Sequence, residues 1–226
     1  MIADDFTGAL DAGVQFAKKG FSTKVLVYSK DMSFQAEDAD VLVVDAETRH
    51  KKPLEAYLTI FRIVKPAAES GVKYLFKKTD SALRGNIGAE LTAMLDATGK
   101  SLLSFVPAFP QINRVTVNGV HYIEGIPVDR SVFGSDPFEP VTEANVEKLI
   151  HQQCETNVQI ISAGHTPDAC QEKTIAVYDC ASDEELKGIA DSLKKTDSLG
   201  LIAGCAGLAE ILPDVLGWPK SETTQP

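Results

Sequence analysis

The 226-residue sequence is short of cysteine, of positive charge and of long apolar runs. Its four cysteines form no C-x-x-C pair and no cysteine–histidine cluster with zinc spacing, so we expect reduced thiols in a cytoplasmic protein. No apolar run approaches the ~20 residues that a membrane helix needs, and no signal peptide is visible, so no contact with a membrane is predicted. The net charge of −10 argues against a nucleic-acid partner, which would require a basic stripe.

Several common motifs of catalysis and nucleotide binding are also missing. The chain has no G-x-G-x-x-G after its first predicted strand, no G-x-x-x-x-G-K-[ST] and no G-x-S-x-G. A D-x-D-x-T phosphatase needs two aspartates two positions apart, whereas Asp4 and Asp5 are adjacent. The sequence itself therefore gives no support to a dinucleotide fold motif, a P-loop, a serine hydrolase or a phosphatase of that type.

What the sequence does have is a regular alternation of short β-branched runs with segments of helical periodicity. Strands are predicted at 1–3, 24–28, 41–45, 72–76, 102–106, 158–162, 174–178 and 199–203. This alternation predicts an α/β fold with a mostly parallel, twisted, Rossmann-like sheet and helices on both faces. Turn pairs within 116–128 predict a small β-hairpin excursion. We expect one domain over 1–217, followed by a polar linker or tail at 218–226.

In such sheets ligands bind beyond the carboxyl ends of the strands, which directs attention to the residues that follow each strand. Asp4 and Asp5 follow the first strand. They could accept a proton from a substrate hydroxyl or hold a magnesium ion, or one of them could simply cap the helix that begins near Phe6. Arg49 follows the third strand, where it is either a forked donor for a carboxylate or a solvated loop residue.

The most polar stretch of the chain follows the fourth predicted strand, directly before a helix N-terminus. Its candidate site residues are Lys77, Lys78, Thr79, Asp80, Ser81 and Arg84. Backbone N–H groups at a helix N-terminus favour an anion, and the basic side chains agree with that preference. In an acidic protein this turn predicts a negatively charged ligand, and the alternative is a surface charge cluster.

Three further features have both a functional and a structural interpretation. Arg114 could add a contact to the site or belong to a plain loop. His121, between apolar neighbours, is better explained as a hydrogen-bonded structural residue. The small-residue turn from Gly204 to Gly207 would let a phosphate approach closely, and it would equally allow a helix to pack on the sheet.

Several segments, in this order, resemble the N-terminal domain of the four-carbon acid sugar kinases, a family that includes 3-oxo-tetronate, threonate and erythronate kinases. They are I-A-D-D-F-T-G-A from residue 2, K-K-T-D-S-A-L-R-G-N-I-G-A-E from residue 77, and P-A-F-P followed by R-V-T-V-N-G within 107–119. Asp136-Pro137 and the segment 204–209 also fit the pattern. The K-K-x-D-S-x-x-R-G-N stretch is highly specific, and the likeness covers nearly the whole chain.

The resemblance implies an ATP-dependent kinase of two domains, with the small anionic sugar acid bound by the N-terminal domain. ATP and Mg²⁺ would be bound mainly by a C-terminal nucleotide-binding domain that is absent from this chain, so this chain alone would not phosphorylate its substrate. The sugar-acid contacts would fall on Asp4, Asp5, Arg49, the turn 77–81 and Arg84. Asp5 or Asp80 would act as the catalytic base that orients the attacking hydroxyl.

Two other functions are consistent with the same residues. One is a non-catalytic sugar-acid-binding or regulatory module on this fold. The other is a magnesium-dependent hydrolase built on Asp4 and Asp5, which would act without ATP. The hairpin also offers an edge strand that could pair with a second copy to form a homodimer.

Overall fold

The computed structural model of the protein describes residues 1–30, 39–169 and 171–217, so the predicted tail at 218–226 lies outside the described residues. The strands are β1 (Ile2–Ala3), β2 (Thr23–Val27), β3 (Val41–Asp45), β4 (Leu75–Lys78), β5 (Leu102–Val106), β6 (Arg114–Val117), β7 (Val120–Ile123), β8 (Ile126–Pro127), β9 (Asn157–Ile161), β10 (Thr174–Tyr178) and β11 (Leu201–Gly204). The α-helices are α1 (Phe6–Lys18), α2 (Pro53–Glu69), α3 (Ile87–Thr98), α4 (Val146–His151), α5 (Asp183–Lys195) and α6 (Ala206–Leu216).

Within the described ranges, eight strands form one parallel sheet in the order β2-β3-β1-β4-β11-β5-β10-β9. One apolar core lies between this sheet and helices α2, α3 and α4, with Ile60, Leu91 and Ile150 among its members. A second core lies on the other face against α1, α5 and α6, and it includes Phe16 and Leu208. The predicted α/β class, with a parallel sheet covered on both faces, is confirmed.

Two strands differ from their predictions in informative ways. β4 was expected at 72–76, but it begins at Leu75 and continues through Lys77 and Lys78. Two lysines in a row indicate a loop by pattern alone, yet both are buried here, where each has polar partners. β2 was expected to be a buried strand, but it lies at the edge of the sheet and is only partly buried.

The predicted hairpin excursion is a three-stranded antiparallel sheet made of β6, β7 and β8. Its two connections have two residues each, and all four residues have positive φ: Asn118 51°, Gly119 72°, Glu124 51° and Gly125 79°. Positive φ at both positions is the geometry of a type I′ turn, whose twist matches that of the flanking strands. The small sheet is tied to the main one because Asp179, just after β10, accepts hydrogen bonds from the N–H groups of Asn118 and Gly119 at 3.0 and 2.9 Å.

In the described parts of the chain, none of the helices combines the length and the apolar character needed to cross a membrane.

Candidate functional site

The site is positioned by three adjacent strands that end side by side. β1 lies between β3 and β4, with Ala3 opposite both Asp45 and Lys78. Because all three strands are parallel, the segments that leave their carboxyl ends meet at one edge of the sheet. This arrangement brings together Asp4 and Asp5, Arg49, and the turn from Thr79 to Arg84, which the sequence offered as separate candidates.

Arg49 joins these segments. Its Nε donates to Oδ2 of Asp4 at 2.8 Å, its Nη1 donates to Oδ2 of Asp5 at 2.6 Å, and its Nη2 lies 3.7 Å from Oδ1 of Asp80. Burial alone would lower the pKa of Arg49, but the attraction of Asp4, Asp80 and Asp5 outweighs it and raises that pKa. Arg49 is therefore a buried, permanently charged centre of the site and not a solvated loop residue.

The two adjacent aspartates have different environments. Asp4 is only 2% exposed, and its Oδ1 accepts no hydrogen bond from any residue that the structure describes. The side chain of Asp5 is 27% exposed, and its Oδ1 accepts from the Gly8 N–H at 2.9 Å, which caps α1. Asp5 thus has the capping role that the sequence raised as one alternative, and it also contacts Arg49; its role towards a substrate or a metal ion stays a prediction.

Asp80 is held by its own turn. Its carboxylate accepts from the N–H groups of Ala82 and Arg84 at 3.2 Å each, from Arg84 Nε at 2.8 Å and from Arg84 Nη2 at 3.1 Å. Burial would raise the pKa of Asp80, but the hydrogen bonds from Arg84 and the charge of Arg49 outweigh it and lower the pKa to about 2. Asp80 is therefore ionised at neutral pH, and it is a weak proton acceptor there.

Arg84 extends the site towards residues far away in the chain. Its Nη1 donates to Oδ2 of Asp136 at 3.1 Å, and its guanidinium carbon lies 5.2 Å from the centre of the Phe133 ring. Arg114 approaches the same ring at 5.1 Å and donates from Nη1 to the hydroxyl of Ser81. Sequence reasoning left Arg114 open and missed Phe133. No local signal marks Phe133, since its role depends on two arginines from other segments.

Lys77 and Lys78 point to opposite faces of the sheet, as successive residues of a strand do. Lys77 is 0% exposed, and its Nζ lies 2.8 Å from Oε2 of Glu90 on α3. Lys78 lies on the α1 side, where a Cβ added at Gly8 would come within 2.9 Å of its Nζ. The structure therefore brings Lys78 to the helix N-terminus beside Asp5 and directs Lys77 into the interior.

Thr79 and Ser81 complete the turn. Thr79 is fully buried; its N–H donates to the Gly204 carbonyl at 2.9 Å, and its Oγ1 has no hydrogen-bond partner among the described residues. The carbonyl of Ser81 lies 3.0 Å from Nε2 of His121. A carbonyl only accepts, so Nε2 carries the proton and the Nδ1 of His121 accepts from Thr116 Oγ1, 3.0 Å away. Burial lowers the pKa of His121 to about 4, and this hydrogen-bonded structural role is the one that the sequence favoured.

The turn from Gly204 to Gly207 packs closely against its neighbours. A Cβ at Gly207 would meet Phe109 at 2.8 Å, and one at Gly204 would meet the Val106 carbonyl at 2.6 Å. The Cys205 thiol donates to the carbonyl of Ala108 at 3.2 Å, and burial raises its pKa. Close packing against β5 and the segment that follows it therefore gives a structural reason for both glycines, and the phosphate interpretation stays a prediction.

The site is separate from the apolar cavity of the fold, and the described residues show no cluster of metal ligands. Residues 1–30, 39–169 and 171–217 hold no group of three or more His, Cys, Asp or Glu side chains suited to a metal ion. A cavity of about 450 Å³ lies at the opposite, amino ends of the strands, among apolar side chains such as Leu42 and Leu75. The candidate site is an open, charged edge, distinct from that cavity.

The family assignment follows from comparisons with known proteins. A family profile described as a sugar-binding N-terminal domain matches residues 1–212. A D-threonate kinase of Salmonella typhimurium is 34% identical over 224 residues, which are 94% of this chain and 52% of that kinase. A D-erythronate kinase of Heliobacterium modesticaldum is 34% identical over 163 residues, or 71% of this chain and 37% of that kinase.

A solved structure also resembles this chain along most of its length. A domain of unknown function from Bordetella bronchiseptica, crystallised with bound citrate as a domain-swapped dimer, matches with a TM-score of 0.81 and 29% identity over 95% of this chain and 55% of that one. Two curated relatives match this chain along nearly its whole length, and the chain spans about half of the length of each. It belongs to the family of sugar-binding N-terminal domains that is shared with kinases of four-carbon sugar acids.

Proposed function

We propose that this chain is the sugar-acid-binding domain of an ATP-dependent kinase that phosphorylates a four-carbon acid of the threonate, erythronate or 3-oxo-tetronate type. The observation that carries the proposal is the Arg49 centre: Arg49, beyond the end of β3, is paired with Asp4 and Asp5 beyond β1 and with Asp80 beyond β4. Clustered carboxylates and cations suit a ligand that carries several hydroxyls and one carboxylate. The activities named for the relatives support the same substrate class.

Lys78 and Arg84 are the proposed partners of the substrate carboxylate. The Lys78 ammonium has three donors, and its hydrogen bond within the described residues is to the Thr79 carbonyl at 2.8 Å. The Arg84 side chain is 26% exposed, so it reaches the open edge of the site. In an acidic chain these two cations, of which Lys78 lies beside the N-terminus of α1, supply the local attraction that an anion needs.

Asp5 is the proposed partner of the attacking hydroxyl. Each oxygen of Asp5 accepts one hydrogen bond, whereas the Asp80 carboxylate accepts four and has a pKa lowered to about 2. Spare acceptor capacity and partial exposure favour Asp5 for orienting a hydroxyl towards the transferred phosphoryl group. Asp80 then serves to hold Arg84 and Arg49 in place.

ATP and Mg²⁺ belong to the proposed reaction, but the residues described here do not fit either of them. The chain has no P-loop motif, and the acidic groups of the site are paired with guanidinium groups, which would repel a metal ion. We therefore propose that nucleotide binding belongs to a part of the protein outside this chain. The same pairing gives no support to a magnesium-dependent hydrolase based on Asp4 and Asp5.

Calorimetric titration of this chain tests the binding function. The ligands are D-threonate, D-erythronate and a 3-oxo-tetronate, with the neutral sugar alcohol threitol as a control. At least one of the three acids should bind, threitol should not, and Lys78→Met and Arg84→Met should each weaken binding by about tenfold or more. Arg62→Met, on the exposed face of α2, is the matched control and should leave binding unchanged. Equal binding of acid and alcohol, or binding of none of the three acids, would contradict the proposal.

Kinase activity is tested by adding ATP and Mg²⁺ to the bound acid. The isolated chain should form no phosphorylated product, and a longer protein that includes the remaining half should form it. A non-catalytic binding module would leave both inactive. We also propose a dimer for the longer protein, on the example of the domain-swapped Bordetella bronchiseptica structure, and light scattering of that protein measures its mass.

A further inference from the structure

We infer that the apolar cavity at the amino end of β1 is a strand slot: it takes an extended apolar segment, joined to the nitrogen of Met1, that continues β1 between β3 and β4. The strand slot is the cavity of about 450 Å³ that the candidate functional site does not use. It lies at the opposite end of the strands from the sugar-acid site, so its test involves no sugar acid and does not depend on the proposed function.

β1 is shorter than the two strands that flank it. It has two residues, whereas β3 has five and β4 has four. Ile2 lies opposite Val44 and Lys77, so residues 41–43 of β3 and 75–76 of β4 extend beyond the amino end of β1. The strand slot lies between these two extensions, in the interior of the eight-stranded sheet.

The register of β1 defines the positions that an added segment would take. Continued by one residue beyond Met1, the strand would lie opposite Leu42 and Leu75. Continued by two residues, it would lie opposite Val41 and Tyr74. All four of these residues line the strand slot. The slot therefore coincides with the next two positions of the central strand.

On β3, a backbone donor points into the slot. Val44 and Ala46 donate to the carbonyls of Met1 and Ala3, at 2.9 Å each. Alternate residues of a strand direct their N–H groups to the same side, so Leu42 directs its N–H to the slot. In a parallel ladder of this register, the carbonyl of the second added residue would accept from it.

On β4, the N–H of Phe76 has the same direction. Its neighbours on the ladder, Leu75 and Thr79, donate to the carbonyls of Gly200 and Gly204 beside β11, at 3.2 and 2.9 Å. Phe76 is out of phase with both, so its N–H faces β1 and the slot. The carbonyl of the first added residue would accept from it. An extended segment would thus meet one backbone donor from each flanking strand.

The side chains that line the slot come from both helical layers. Ile63 and Ala67 of α2 reach it from one face of the sheet, and Phe16 of α1 and Leu212 of α6 reach it from the other. A cavity reached from both faces passes through the plane of the sheet, as a strand does. Protein interiors are close-packed, and strands buried on both faces are apolar throughout. The occupant is therefore an extended apolar segment rich in β-branched residues.

The nitrogen of Met1 shows why the segment is continuous with β1. It donates to the Leu42 carbonyl at 2.6 Å, which is the hydrogen bond that a strand N–H would make at this position. Burial in apolar surroundings lowers the pKa of this amino group to about 5, because it disfavours the charged form. A peptide N–H at the same atom would make the same hydrogen bond with no charge to desolvate.

The test lengthens this chain before Met1. One variant has the residues Met-Lys-Val-Ile joined to Met1, and its matched control has Met-Lys-Gly-Ser at the same place. The thermal unfolding midpoint and the amide hydrogen exchange of Leu42 and Phe76 are measured for both variants and for the original chain.

The apolar extension should raise the midpoint by roughly 5 °C or more above the control, because two apolar side chains become buried. It should also slow the exchange of both amides by about tenfold or more. Equal midpoints, or unchanged exchange at either amide, would overturn the strand slot. If the free peptide Lys-Val-Ile stabilises the original chain as much as the joined segment does, the slot takes a separate partner and continuity with Met1 is wrong.

A substitution in the lining locates the added segment. Ala67→Phe places a ring in the slot from α2, so it should abolish the gain in midpoint that the apolar extension gives. Ala68→Phe, at the next residue of α2 and outside the lining, should keep that gain. If Ala67→Phe does not fold, Ala67→Leu decides by the same difference between extended and original chains. A gain that survives the substitution at residue 67 would place the extension outside the slot and refute the inference.

Discussion

At the scale of single residues, the site depends on charge pairs between residues that are distant in the sequence. Arg49 meets Asp4 and Asp5 across 45 and 44 positions, and Arg84 meets Asp136 across 52. The sequence could nominate Asp4, Asp5, Arg49, Asp80 and Arg84 because each follows a strand. It could not state which carboxylate would face which arginine, because that pairing depends on the order of the strands in the sheet.

The central position of Arg49 leads to a stability prediction. Arg49→Met leaves the buried Asp4 carboxylate without its cation, and breaking one side of a buried pair costs about 3–5 kcal/mol. Urea unfolding should show this loss in the free energy of unfolding. Arg62→Met, on an exposed helix surface, should change that free energy by less than about 0.5 kcal/mol. A loss for Arg49→Met no larger than that of the control would contradict the central role of Arg49.

His121 predicts how stability depends on pH. Its pKa falls from 6.5 to about 4 on folding, chiefly through burial, so protonation favours the unfolded chain. The stabilisation from neutral His121 is complete above pH 6.5 and is lost as the pH falls towards 4, a total of roughly 3 kcal/mol. The free energy of unfolding, measured from pH 7 to pH 4, should fall less steeply in His121→Gln than in the wild type. His165→Gln, at an exposed histidine, should keep the wild-type slope.

At the scale of elements, the approach of α1 to β4 shapes the site. The first turn of α1 contains Gly8, whose missing side chain leaves room for Asp5 and Lys78. The sequence predicted this helix and its cap. It did not predict that the glycine faces a lysine of another strand, because that contact arises only when β1 and β4 pair.

Gly8→Ala tests this close approach. The new Cβ would lie 2.6 Å from Oδ1 of Asp5 and 2.9 Å from Nζ of Lys78, so both groups must move. We expect sugar-acid binding to weaken by about tenfold. Gly188→Ala, within α5 and with open space around it, should instead stabilise the protein by about 1 kcal/mol and leave binding unchanged. Calorimetry measures the binding of each variant, and thermal unfolding measures its stability. Unaltered binding in Gly8→Ala would contradict a role in binding for the close approach of Gly8 to Asp5 and Lys78.

At the scale of the whole molecule, the site lies near the middle of an eight-stranded parallel sheet, with helices on both faces. The helices packed on both faces of the sheet hold the strand ends rigidly. The charged groups lie on the segments that follow those strand ends. A ligand at that edge would contact several segments at once and would therefore stabilise the whole domain.

This coupling predicts a thermal shift. A sugar acid present at about 100 times its dissociation constant should add roughly 2.7 kcal/mol to the free energy of unfolding. The unfolding midpoint should rise with the sugar acid that binds, and tenfold weaker binding in Lys78→Met should reduce the added free energy to about half at the same acid concentration. A midpoint that does not respond to an acid that binds by calorimetry would contradict a site formed by the folded edge.

The sequence by itself determined the fold class, most element positions and the identity of the polar turn, because alternating hydrophobic patterns and turn chemistry are local signals. It also placed the candidate residues at strand ends, since α/β alternation implies parallel strands. Only the tertiary structure decided that Lys77 faces Glu90 while Lys78 faces α1, that β2 is an edge strand, and that Phe133 lies against Arg84 and Arg114. These outcomes depend on strand order, on the register of β4 and on contacts between distant segments, and none of the three is encoded in a local pattern.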